Sequence, residues 1–214
     1  MRSIVMFVEG EGDEAAVPVL ITRILHKLAR YDWIANRTIR VGSLDKFISR
    51  MEDYLRYIEQ DPKCAGALVL LDLDDGCPRS TAHELAERLR AYNAAFPIAV
   101  VFAHREYEAW FLASMWSLSL NVAISEKRLD YPGEPEARRD AKGWISQQMG
   151  AGRAYKERIN QAQFTRKMSM RRAYARSRSF RRLCAAVREV VELADRGERG
   201  LVTPTAERTT PGTG

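Results

Sequence analysis

Short apolar runs alternate with helical periodicities along the first 118 residues. Residues 2–8, 66–72 and 97–103 are apolar almost without a break, the pattern of strands buried on both faces. Residues 38–41 form a weaker run that also reads as a strand. Helical stretches lie between them. Residues 44–59 put Leu44, Phe47, Ile48, Met51, Leu55 and Ile58 on one face, and Asp61-Pro62 ends that helix. Residues 13–30 read as a helix with Asp13 as its N-cap and Pro18 in its opening turns. Further helices are expected over 80–94, opened by Ser80 or Thr81, and over 106–117, where Trp110 and Phe111 continue an apolar patch. Strands alternating with helices predict an α/β domain with a mostly parallel sheet.

Two of the strands end in acids. The first runs into Glu9-Gly10-Glu11-Gly12-Asp13-Glu14, and the third into Asp72-Leu73-Asp74-Asp75-Gly76. Carboxylates crowded at the end of a buried strand repel one another unless a cation neutralises them. In open α/β sheets the carboxyl edge is also where ligands bind. If these two strands are neighbours, Glu9, Asp13, Asp72 and Asp74 converge as oxygen ligands for Mg2+ or Mn2+. Asp72 and Asp74 lie two residues apart and share a face, whereas Asp75 points away. Glu106 and Glu108 follow the fourth strand, so at least one of them can join the acidic edge; the bland alternative is a salt bridge to neighbouring cations. His104 lies beside them as a structural or site histidine.

This arrangement resembles the Toprim domain of topoisomerases, primases and OLD-type nucleases. The matching segments are VEGEGD at 8–13 and LDLDD at 71–75. His104 to Ala113, with Pro135–Lys142, Tyr155–Glu157 and Ser177–Phe180, is similar to the bacterial Toprim-like family catalogued as domain of unknown function 4276. The resemblance covers roughly residues 2–185. It implies metal-dependent cleavage of DNA or RNA, with Glu9 as ligand or general base; together with the acids read above, Glu9, Asp72, Asp74, Glu106 and Glu108 form the expected catalytic set. It also implies an ATPase partner and a role in defence against phage or plasmids. Asp13 stands where related nucleases often carry Glu, and Glu14 is the alternative ligand.

Charge adds a second theme. The chain of 214 residues carries a formal +6, but residues 137–182 hold fourteen Lys and Arg against Asp140 and Glu157. That segment is +12 and leaves the rest at −6. Such a bias suits a phosphate backbone, with Lys156, Lys167, Arg171, Arg172, Arg176 and Arg178 as its contacts. An acidic protein partner is the competing reading. We therefore expect a Toprim-like domain over 1–118, a basic helical extension over 119–198 and a disordered tail over 199–214. No apolar run is long enough to span a membrane. The first apolar run is short and interrupted by Glu9, which reads as a strand and not a targeting segment. Cys64, Cys77 and Cys184 have neither disulfide nor zinc spacing and fit a cytoplasmic protein.

Two rivals stay open. A strand ending in Asp-x-Asp also occurs in phosphatases of the haloacid-dehalogenase kind, with Asp72 as nucleophile, although that motif usually sits on the first strand. A non-catalytic nucleic-acid- or partner-binding subunit would carry the acids as a vestige. No phosphate-cradling G-x-x-x-x-G-K-[ST], H-E-x-x-H or G-x-S-x-G motif is present.

Overall fold

The computed structural model describes residues 1–202. Its sheet contains β1 (Arg2–Val8), β2 (Trp33–Arg40), β3 (Cys64–Leu73), β4 (Ile98–His104) and β5 (Leu201–Val202). All pairings are parallel, in the order β2-β1-β3-β4-β5. The expected α/β class is therefore the observed one. The helices are α1 (Glu11–Lys27), α2 (Leu44–Glu59), α3 (Pro78–Tyr92), α4 (Ala109–Ala113), α5 (Met115–Asn121), α6 (Ala141–Gln148), α7 (Glu157–Lys167), α8 (Met170–Arg176) and α9 (Arg178–Asp195). None of them is long and apolar enough to cross a membrane, among the described residues.

Strand alternation divides the apolar residues between two cores. Ile4, Met6, Val8, Leu68, Leu70, Ala99 and Val101 face α1 and the helices from α4 onward. Val5, Phe7, Ala67, Val69, Leu71, Val100 and Phe102 face α2 and α3. The continuous apolar runs of β1, β3 and β4 follow from burial on both sides. Trp110 and Phe111 are fully buried in the first core. The basic segment is built into that core too, through Ile145, Phe164, Phe180, Leu183, Val187 and Val190.

Several boundaries differ from the sequence reading. β2 begins five residues earlier than expected, because Trp33 and Ala35 are buried while exposed Asn36 and half-buried Arg37 interrupt the apolar pattern of this edge strand. α1 begins at Glu11 with Gly10 as N-cap. Asp13 is its third residue, and its Oδ2 accepts the Gly10 N–H at 2.9 Å. Pro18 sits inside α1 and has no N–H for the Glu14 carbonyl. The Thr38 hydroxyl donates to that carbonyl instead, at 3.4 Å. α3 starts at Pro78, a residue suited to a first helical turn. The single helix expected over 106–117 is two short ones that meet at Ser114. The tail reading is corrected in part: Leu201 and Val202 pair with Ile98 and Ala99 as β5. Residues 203–214 lie outside the described residues.

Candidate active site at the carboxyl edge of the sheet

β1 and β3 are adjacent and parallel, with Val8 opposite Leu70. That register brings the two acid-bearing ends level. Glu9 Oε2 accepts the backbone N–H of Asp72 at 3.3 Å. Asp72 Oδ1 in turn accepts the N–H of Tyr107, just beyond β4, at 3.0 Å. Asp13 comes in from the first turn of α1, where its Oδ1 accepts from Gln161 Nε2 of α7 at 2.7 Å. α7 reaches this position because Gly12 has no side chain. A Cβ there would collide with Gln161 and with Glu157. One function of the EGEGD turn is thus close helix contact.

Glu108 completes the edge from the β4 side. It is buried, and Tyr155 donates its hydroxyl proton to Oε1 at 2.8 Å. The other oxygen, Oε2, is buried without a hydrogen bond. Lys142 Nζ is 3.9 Å from Oε2 and 2.5 Å from Glu157 Oε1. Lys142 stands near the start of α6, whose N-terminus is held by Asp140 and Glu106. Asp140 Oδ1 accepts from the Gly143 N–H at 2.8 Å, and Glu106 Oε2 accepts from the Lys142 N–H at 3.3 Å. Glu106 therefore caps a helix while Glu108 faces the acids.

Burial dominates the electrostatics. It raises the Glu9 carboxyl pKa, against the Asp72 N–H and with help from the charges of Asp13 and Asp74. It raises Asp13 likewise, despite the Gly10 and Gln161 hydrogen bonds. Asp72 is pushed well above the usual carboxylate range by burial and then by Asp13 and Glu108. Glu108 is pushed up to about 7 by burial, with Lys142 and Tyr155 pulling the other way. Burial opposes charge on Lys142 too, but Glu108, Glu157 and Asp72 outweigh it and raise its pKa. One lysine thus faces an excess of carboxylates, and protons relieve the imbalance.

The remaining expected residues lie further out. Asp74 is exposed at the rim. Asp75 pairs with Arg139. No three His, Cys, Asp or Glu side chains among the described residues form a ready-made metal cage. Among the described residues, Lys156, Lys167, Arg171 and Arg178 are exposed cations in no ion pair. Arg172 and Arg176 differ, since both pair with Asp130. Arg176 also donates to the carbonyls of Tyr131 and Gly133, at 2.6 and 3.0 Å. These two arginines fasten the 130–133 loop to α8. Arg176→Ala is expected to lower stability by about 1–2 kcal/mol in urea unfolding, whereas Arg171→Ala is expected to leave it unchanged. Equal midpoints for the two variants would contradict the clamp.

Sequence reading missed Lys142, Tyr155, Glu157 and Gln161 as site residues. Each is a single polar residue in the basic segment, remote in sequence from the acids.

A family model described as "Domain of unknown function (DUF4276)" matches residues 8–188. Searches of curated proteins and of solved structures find no match to the chain.

Proposed function

The chain belongs to the DUF4276 family, and for it we propose metal-dependent hydrolysis of phosphodiester bonds in DNA or RNA, in the cytoplasm. The observation that carries this reading is the convergence of Glu9, Asp13, Asp72 and Glu108 around the one cation Lys142. The likeness of the 8–13 and 71–75 segments to Toprim nucleases supports it.

The donor type suits a hard dication, and binding one would draw Glu9, Asp72 and Glu108 together, since no three such groups form a metal cage among the described residues. All the acids offer oxygen, their charge exceeds that of Lys142, and Glu108 Oε2 lies buried without a donor. Glu9, Asp72 and Glu108 would hold Mg2+ or Mn2+, with Asp74 at the rim and Asp13 fixed by Gly10 and Gln161 as an orienting neighbour. When bound, the ion supplies Lewis-acid polarisation of a phosphoryl oxygen. Glu9 accepts the proton of the attacking water, a task suited to a carboxylate whose pKa burial has raised. Lys142 stays protonated and offers fixed positive charge to the phosphoryl group in the transition state. Lys156, Lys167, Arg171 and Arg178 hold the flanking backbone, an attraction that weakens with salt.

The test is incubation of purified protein with single- and double-stranded DNA and RNA, with Mg2+, Mn2+ or EDTA. Cleavage that requires metal is the expected result. Nucleic acid that is bound but left intact under every condition favours a binding subunit. A phosphate trapped on Asp72 favours phosphatase chemistry.

A further inference from the structure

A second concavity opens on the free side of β4, away from β3. β5 pairs only with Ile98 and Ala99, so the outer edge of β4 from Val100 to His104 has no strand partner among the described residues. Beside that edge lies a cavity of about 510 Å3, within the rough 300–1,000 Å3 range of small-molecule sites. It is walled by the first turn of α3, by β4 and by the first turns of α9.

Its charge is predominantly positive, with three arginines against one carboxylate, Glu136. Arg79, Arg178 and Arg182 line it, with His104 at the end toward the acids. Among the described residues Arg79 and Arg178 have no ion-pair partner, and both are exposed. Arg182 has Glu189 at 3.8 Å as its ion-pair partner and donates Nη2 to the Val202 carbonyl at 2.9 Å, while its Nε is buried without an acceptor. Burial lowers its pKa, the mark of a cation short of countercharge. The single acid of the wall, Glu136, is already engaged: Oε1 accepts from the Ser177 hydroxyl at 2.6 Å and from the Ser179 N–H at 2.7 Å. The N-terminus of α3 meets the cavity and adds positive potential, whereas that of α9 is already capped by Glu136 and Ser177. The opposite wall is the backbone edge of β4 at Val100–Phe102, whose side chains, like that of Ala82, are buried in the core beneath. Cations that suit a phosphate at one end, and free backbone groups of a strand edge that suit the hydrogen-bonding edge of a base beside them, describe a nucleotide.

We propose that this cavity binds a nucleoside monophosphate unit. Its phosphate lies among Arg79, Arg178 and Arg182, and its base lies against the open edge of β4. The unit comes either from a free nucleotide or from the phosphorylated end of a nucleic-acid strand. His104 is opposite Leu73 in the sheet, so the pocket borders the acidic edge without sharing its carboxylates.

Calorimetric titration of the full chain in EDTA tests the proposal, because metal-dependent cleavage is excluded there; Arg178 is also one of the proposed backbone contacts, so Arg79→Ala is the variant specific to this pocket. The probes are AMP, adenosine, inorganic phosphate, and one short single strand with and without a 5′-phosphate. AMP is expected to bind saturably, phosphate to compete with it, and adenosine to bind at least tenfold more weakly. Arg79→Ala and Arg178→Ala should each weaken AMP by about tenfold, the loss of one charge-assisted contact. Both positions are exposed, so circular dichroism is expected to be unchanged. Tighter binding of AMP than of the 5′-phosphorylated strand identifies the free nucleotide as the source, and the reverse order identifies the strand end. AMP binding that is absent, that matches adenosine, or that is equal in wild type and both variants overturns the proposal.

Discussion

Asp72→Asn is expected to lower the proposed metal-dependent cleavage by roughly 1,000-fold, about 4 kcal/mol of transition-state stabilisation, and to leave a more stable protein behind. Asp72 lies at the centre of the acidic edge. It is linked to Glu9 through its N–H and to the β4 loop through Tyr107. Replacing one carboxylate oxygen by an amide removes a charge that Asp13, Glu108 and burial all disfavour. The Asn side-chain oxygen can still accept the Tyr107 N–H, so the loop keeps its anchor. The metal-free variant should therefore melt higher than wild type, and Mg2+ should raise its melting temperature less. Site carboxylates of this kind are tolerated for their chemistry at the expense of stability. Wild-type cleavage by the variant would remove Asp72 from the mechanism. A lower melting temperature together with lost activity would mean that the carboxylate is structural.

The second large effect is a pH dependence with a definite sign. Glu108 has an ordinary pKa of 4.5 and one of about 7 in the fold. Between these values the folded chain keeps the proton that the unfolded chain has released. The folded state then binds more protons, so stability falls as pH rises. Glu108's contribution is fully present below about pH 4.5 and is lost as pH climbs through about 7. The amount is on the order of 3 kcal/mol. Glu108→Gln cannot ionise, and its side-chain oxygen can still accept the Tyr155 hydroxyl. Urea unfolding in EDTA from pH 5 to 8.5 should show a declining wild type and a flatter variant. The variant should be the more stable of the two at pH 8. Parallel curves would rule out Glu108 as the titrating group.

The acidic edge was legible because two signals coincided: an apolar run long enough for a buried strand, and acids where that run stops. Adjacency of β1 and β3 then brought Glu9 and Asp72 together. Helix α2 was legible to the residue, because its apolar positions repeat without interruption between Ser43 and Asp61. β2 was seen only in its second half, since an edge strand tolerates Asn36 and Arg37 in its middle. The split at Ser114 had no sequence marker, because apolar residues continue through it in helical spacing. The cation of the site was hidden for another reason. Lys142 is one of fourteen basic residues in its segment, and sequence cannot say which of them turns inward. Lys156 and Lys167, singled out from that segment, are exposed. Arg172 and Arg176 read as phosphate contacts, yet Asp130 and two loop carbonyls hold them. What decides such cases is the distant partner, and the partner is fixed only when the helices dock.

The order in which the site's parts occur along the chain bears on its synthesis. Glu9, Asp13, Asp72 and Glu108 leave the ribosome first. Lys142, Tyr155 and Gln161 follow, and the two-residue edge strand, Leu201–Val202, comes still later. A nascent chain stalled before α6 carries the acids with nothing to hold Glu108 or to balance its charge. Until the C-terminal helices arrive and α7 seats against Gly12, the carboxylates of the edge lack the lysine, tyrosine and amide partners they have in the finished fold. The edge is complete only with near-complete synthesis.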